Sequence, residues 1–265
     1  MRELAWLLLL RDAAGMIALP ANTSRVILNI GSHVTPIRPP DDGSTIVIAF
    51  EPVVGCRIKP RPRLYVVHAA VAADTSLSTM GVYHANQGSS SLSPAYGSMD
   101  FAHQVQPSII VPVLPMRTVI ASIPVESEIW LLKTDMQGWD YAALVGAGEL
   151  LRRVHYIRSE CWLANTRPYN GPENDFCLHV LPYLTSQGFE LVHMHGNSKA
   201  RAFVNNWKGV TGMRDALAFC ETTKDRPARA GLLEADAYFK RSGARLPPPT
   251  GSDWPFPASG PPIQS

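Results

Sequence analysis

The chain has 265 residues, 46% of them hydrophobic and 17% charged, which supplies a sizeable core and excludes a disordered polymer. That length suits one α/β domain with extra segments, or at most two small domains. Its 24 basic and 22 acidic residues balance to +2 with no long run of Lys or Arg, so neither nucleic acid nor an anionic membrane is an expected partner.

At the N-terminus, Leu4 to Leu10 is apolar, but Arg11 and Asp12 interrupt it far short of the roughly 20 residues a membrane span needs. It also lacks the longer apolar stretch and cleavage site of a signal peptide, Ala18-Leu19-Pro20 being a poor one. Residues 1–24 therefore read as an extension whose first helix lies against a sheet. The sequon Asn22-Thr23-Ser24 reads as a chance match.

Short apolar, β-branched runs follow. Arg25 to Ile30, Thr45 to Phe50, Leu64 to Ala69, Ile109 to Val113, Ile129 to Thr134, Val154 to Ser159, Phe189 to Met194 and Ala216 to Cys220 predict strands. Continuous rather than alternating hydrophobicity in the first two, and in Ile129 to Thr134, predicts strands covered on both faces, as in a parallel sheet. Trp139 to Leu151 and Glu173 to Ser186 carry helical spacing. The alternation predicts a mostly parallel, doubly wound α/β sheet with helices on both faces. Between the first two strands, the prolines of Ser32 to Ser44 leave little room for a crossover helix. Asp74 to Gln106, rich in Ser, Gly and Asn, reads as an inserted loop or hairpin. Residues 25–222 form the main domain on this reading, 223–245 a helical segment, and 246–265 a proline-rich flexible tail. The cysteines Cys56, Cys161, Cys177 and Cys220 form no CxxC pair. Their even count permits two disulfides, but scattered single thiols read rather as buried small residues of an intracellular, cytoplasmic protein than as disulfides or metal ligands.

A doubly wound sheet binds its ligand at the carboxyl ends of its strands. After the first strand come Asn29-Ile30-Gly31-Ser32-His33, where a glycine lets the backbone approach a ligand closely. After the second come Glu51 and Pro52. Glu51 suits a ribose diol, and equally an acid opening a helix. Lys133 and Asp135, two apart, point to the same side of a strand, where charge is costly unless paired or used. Glu160 ends the next strand. Three acids, Glu51, Asp135 and Glu160, thus converge on one rim.

The order NIG, FEP, SSSL, LLKTDMQGWDYAALVGAGELL, SE and QGFELV resembles the FkbM family of methyltransferases, from about Arg25 to Cys220. The family's usual signature is similar to D-I-G-A-N, F-E-P, S-S-S-L, L-K-I-D-V-E-G-x-E-x-x-V-L-x-G-A and a final G-F. The resemblance implies a class I Rossmann-like fold and a methyltransferase that uses S-adenosyl-L-methionine, mostly on hydroxyl (often sugar) or carboxyl oxygens of small molecules. It implies that Asn29, Gly31, Ser32 and His33 line the methionine side of the cofactor. Glu51, beside Pro52, holds the ribose, and Ala70 borders the adenine. Asp135 stands at the transferred methyl as base or orienting acid, with Glu160 and His33 as further candidates and Lys133 as ion-pair support. Ser90 and Ser91 belong to a loop over the substrate, a small-molecule or glycan acceptor. Trp162, Arg167 and Tyr169 follow Glu160 and read either as an acceptor lid or as a packed surface loop.

The chain departs from that signature at Asn29 in place of Asp, at His33, at Val34-Thr35-Pro36 where a further glycine is usual, and at Gln137 in place of Glu. These departures leave a second reading open, a methyltransferase-like fold without turnover that serves as a binding or regulatory module. A nicotinamide-dependent oxidoreductase lacks the GxGxxG it would need. His193 and His195 share a strand face, but no metal is expected.

Overall fold

The computed structural model describes residues 17–54, 57–83, 88–96, 104–196, 209–231 and 233–244. The expected helix at Leu4 to Leu10, Cys56 and the tail 246–265 lie outside them. In chain order the elements begin with β1 (Arg25–Ile30), β2 (Thr45–Phe50), β3 (Leu64–Val67), β4 (Ala70–Ala72), β5 (Ser76–Tyr83), β6 (Gln104–Pro115) and α1 (Met116–Ala121). Then come β7 (Glu128–Thr134), α2 (Asp140–Ala147), β8 (Val154–Trp162), β9 (Thr166–Arg167), α3 (Leu181–Ser186) and β10 (Phe189–Gly196). β11 (Val210–Thr211), α4 (Gly212–Thr223), β12 (Arg229–Ala230) and β13 (Glu234–Arg241) complete the set.

An eight-stranded sheet in the order β11-β10-β13-β8-β7-β1-β2-β3 forms the body of this mixed α/β fold. β3, β2, β1, β7 and β8 run parallel, whereas β13 is antiparallel to both β8 and β10. β1 and β2 are buried almost throughout, as continuous apolar runs require. Their side chains alternate between faces: Val26, Leu28 and Ile30 join the main core, while Ile27 joins Val47, Leu131, Tyr156 and Tyr238 on the other side.

The expectation of helices on both faces is corrected here. α1, α2, α3 and α4 all bury their apolar residues in the main core, so among the described residues every helix packs on one face. The cause is local. The β1–β2 link contains Pro36, Pro39 and Pro40, and the β2–β3 link Pro52, Pro60 and Pro62; no described residue of either is helical.

Other elements also differ from expectation. Ala216 to Cys220 lies inside α4, not in a strand: Ala216, Phe219 and Thr223 are buried at helical spacing while Leu217 is 57% exposed. The expected helical segment 223–245 instead holds β12 and β13. In β13, Ala235, Ala237 and Phe239 enter the core alternately, which is strand period. Asp74 to Gln106 is largely a hairpin, β5 against β6, in a separate three-stranded sheet with β4. Trp139 to Leu151 is helical as α2 followed by a 3-10 turn, Gly148–Arg153. Glu173 to Ser186 starts later, at a π-type turn (Phe176–Val180) whose N–H groups at Cys177 and Leu178 are capped by Asp175 Oδ1 at 2.8 and 3.0 Å.

The cysteine expectation is corrected for two residues. Cys177 on the π-type turn and Cys220 on α4 form a disulfide, their Cα atoms 5.3 Å apart. Phe176 and Phe219 pack edge to face beside it at 6.4 Å, so aromatic packing and the bond join the same two elements. Cys161 is a free buried thiol, as expected. The bond closes a 43-residue separation, for which chain entropy gives about 4 kcal/mol. Cys177→Ser should lower the urea-unfolding free energy by about that amount. With reductant present in both samples, the difference should shrink to a few tenths of that; an equal loss under reduction would show that packing, not the bond, carries the effect.

Candidate functional site

The site forms where β1, β2, β7 and β8 end. Gly31 has φ +69°, and its N–H donates to Phe50 O at 2.9 Å, tying the β1 turn to β2. A Cβ there would run into the carbonyl oxygen of Asp135, so only glycine lets the β1 and β7 tips close together. Asp135 N in turn donates to Ile30 O at 3.1 Å. Glu51, 6% exposed, accepts from His33 N at 2.7 Å on one oxygen and from Val53 N at 3.0 Å on the other. One buried carboxylate therefore holds both loops, with a lone pair on each oxygen left over. Burial pushes its pKa up, against those two hydrogen bonds.

These tips enclose a cavity of about 230 Å³. Gly31, Ser32 and His33 of the β1 turn line it, as do Glu51 and Pro52 after β2 and Ala70 of β4. Lys133, Asp135 and Glu160 line it from β7 and β8, and Ser90 from the serine loop. Five expected residues are not brought to this wall. Asn29 lines a separate cavity on the other face of the sheet. Trp162 and Tyr169 are fully buried, stacked with ring centroids 6.3 Å apart, and Arg167 pairs through β9 with β12. Ser91 is 1% exposed, its Oγ donating to Gln137 O at 3.0 Å, so it braces the floor.

Gln137 is what the sequence reading missed. Its Nε2 donates to Asp135 Oδ1 at 3.3 Å and to Glu160 Oε2 at 3.2 Å, bridging the two acids. Its Oε1 accepts from Tyr169 Oη at 2.7 Å. It sits at φ +51°, an unusual backbone for a side chain of this size, inside the turn that carries the site. The neighbouring Gly138 has no room for a Cβ against the Trp162 ring. The departure from a family glutamate was visible in the sequence; its meaning was not, because a glutamate here would set a further carboxylate between Asp135 and Glu160. Lys133 Nζ completes the cluster at 3.1 Å from Asp135 Oδ2. Trp139, also unexpected, donates from Nε1 to Ser93 Oγ at 3.1 Å and fixes the serine loop.

The Methyltransferase FkbM domain family model matches residues 26–191, well over half of the chain. The chain belongs to the FkbM methyltransferase family. No curated protein and no solved structure gives a match. For an FkbM domain, the matched stretch starts on β1 and ends on β10, so it takes in every strand end that lines the cavity. His193 and His195 stand apart from it. His193 Nδ1 lies 3.1 Å from Thr211 Oγ1 and His195 Nε2 lies 3.6 Å from Asp236 Oδ2. Among the described residues no three His, Cys, Asp or Glu are placed to hold a metal.

Behind the cavity, Asp140 is fully buried at the start of α2, accepting from Met136 N at 3.2 Å and from Asn174 Nδ2 at 3.4 Å. Burial, with the charge of Asp135 second, pushes its pKa up to about 7. Burial and the same neighbour raise Glu160 well above the usual carboxylate range. An acid whose folded pKa is raised holds extra protons in the native state. Its contribution is complete below the unfolded value and is lost as pH climbs through the folded one. Unfolding free energy should therefore fall between about pH 4 and 7, the ordinary and native values of Asp140. Asp140→Asn should flatten that decline in urea titrations at pH 5 and 8, leaving the part due to Glu160 and Glu51. An unchanged slope would remove Asp140 from the explanation.

Proposed function

We propose that this FkbM domain is an S-adenosylmethionine-dependent O-methyltransferase acting on a hydroxyl of a sugar or other small molecule. The observation that carries the reading is the acid-lined cavity. Glu51, Asp135 and Glu160 converge on it with Lys133 as the one Lys or Arg side chain among the described lining residues. Such a wall suits a ligand that is itself cationic, as a sulfonium bearing an amino group is. Glu51 keeps acceptor capacity for a ribose diol, and the bare Cα of Gly31 leaves room beside it. When bound, that cofactor supplies an activated methyl and needs no metal.

The chain's own residues then position and deprotonate. Asp135 would orient the acceptor hydroxyl and take its proton as the carbon–oxygen bond forms and the methyl–sulfur bond breaks, leaving a neutral thioether. Lys133 and Gln137 hold the carboxylate from two directions, so it meets the hydroxyl in one orientation. Glu160, its protonated form favoured by burial, acts through Gln137 rather than as the base. Ser90 and the braced serine loop close the acceptor side. Among the described residues no helix is long and apolar enough to cross a membrane. The Cys177–Cys220 bond is of a kind that persists in oxidising compartments, which weighs against the cytoplasmic expectation.

Calorimetric titration with S-adenosylmethionine and its demethylated product should show binding of both, and absence of binding at millimolar concentration would sink the reading. Glu51→Ala should abolish binding. Asp135→Ala should spare binding and lower turnover by about 10²–10⁴-fold, the usual share of general base catalysis; retained turnover would reassign the base.

A further inference from the structure

A second cavity, about 450 Å³, lies on the face that carries no helix among the described residues and shares Thr35, Lys133 and Asp135 with the first. Its other walls are Asn29 on β1, Arg158 on β8 and the loop from Pro36 to Arg38. Asn29 is the register partner of Lys133, and Lys133 of Arg158, so these side chains stand in one row across β1, β7 and β8.

The row is built of donors. Asn29 is 1% exposed; its Oδ1 accepts from Ile37 N at 2.8 Å, which fixes the amide's orientation and leaves Nδ2 buried without a partner. An orphaned buried donor calls for an explanation. Lys133 Nζ gives two hydrogen bonds, to Asp135 Oδ2 and Gly31 O, out of the three an ammonium can give. Arg158 is held in place by Asp236 through Nε at 3.1 Å and Nη2 at 3.2 Å. Arg38 is exposed on the covering loop and adds a charge with no ion pair among the described residues. Three cations against Asp135 on the wall and Asp236 behind it leave the cavity positive.

The geometry points to this cavity as the acceptor's anchor, holding an oxyanion of the acceptor so that its hydroxyl meets Asp135 at the shared wall. This rests on the methyl-transfer reading above. A carboxylate and a phosphate monoester share the needed chemistry, since both only accept hydrogen bonds and carry charge. Asn29 itself supports the assignment. It stands where the family signature has Asp, which would keep the Ile37 bond but cancel one positive charge of the row.

The test is an NMR titration of the ¹⁵N-labelled full chain with inorganic phosphate and, separately, acetate. Ile37 N–H and the Asn29 side-chain NH₂ should shift saturably. A response to phosphate alone assigns a phosphorylated acceptor, and one to acetate alone a carboxylate. Arg38→Ala should weaken the response about tenfold or more while leaving S-adenosylhomocysteine affinity unchanged. Asn29→Asp, which retains the Ile37 bond, should abolish it in a spectrum that is otherwise folded. No saturable shift with either anion, or equal shifts in Arg38→Ala, overturns the anchor. If S-adenosylhomocysteine still binds in that case, the methyl-transfer reading stands alone. If anions bind but S-adenosylhomocysteine does not, the acceptor role falls with the reading it rests on.

Discussion

The register between β1, β7 and β8 is the constraint on which the rest depends. Ile27, Leu131 and Tyr156 are register partners and form an apolar row. Two residues further on, Asn29, Lys133 and Arg158 form a donor row. Two further again, Gly31, Asp135 and Glu160 reach the strand ends, where the acids meet. The stack works because β7 carries one extra residue between the partners of Val26 and Ile27, at Trp130. That bulge puts both Trp130 and Leu131 in the cluster with Ile27 and Tyr156, opposite the main core, and sets the parity of everything after it. Shifted by one residue, Lys133 and Asp135 would point into the apolar core beneath α2. Arg25 stacks its guanidinium 4.7 Å over the Trp130 ring and helps to hold the bulge where it is.

Bringing Asp135, Glu160, Asp140 and Glu51 near one another carries an electrostatic cost that the fold meets in distinct ways. Lys133 neutralises charge at Asp135 directly. Gln137 inserts a donor between Asp135 and Glu160 where like charges would otherwise face each other. Burial favours the protonated forms of Asp140 and Glu160, so not every acid carries charge at neutral pH. Gln137 can do its part only because Tyr169 grips its other end and because Gly138 lets the turn lie flat against Trp162. Aromatic residues that read from sequence as a possible acceptor lid thus act one layer deeper, as the base on which the acid cluster rests.

How much of this was legible follows from which information is local. Continuous apolar runs located β1, β2 and β7, and the residues just after them located most of the cavity wall, because the parallel-sheet rule acts on strand ends. The offset that drew attention to Lys133 and Asp135 recurs at Arg158 and Glu160, so the donor row was readable and was overlooked. The strand assignment at Ala216 to Cys220 failed because a run of five apolar residues fits either period. The disulfide was out of reach, since pairing depends on two elements meeting in space rather than on spacing. The bulge at Trp130 was equally hidden, being defined only against the partner strand.

Two departures from the family signature, Asn29 and Val34-Thr35-Pro36, share a root with the lack of a helix between β1 and β2. A helix after β1 would normally cover the face that carries Asn29, Lys133 and Arg158. Here Pro36, Pro39 and Pro40 prevent one, and an extended loop crosses instead, anchored by the Ile37 N–H on Asn29. A helix would satisfy its own backbone groups and present an apolar stripe to the sheet. A loop leaves its own backbone groups unpaired, so the sheet beneath it must supply polar partners, as Asn29 does for the Ile37 N–H while the Ile37 side chain packs with Ile27 and Val47. Loop and sheet together bound a polar cavity lined by charged side chains. Under a helix, those side chains would be desolvated without compensation. The donor row and the missing crossover helix are therefore one feature, and a chain that regained the helix would have to lose the row.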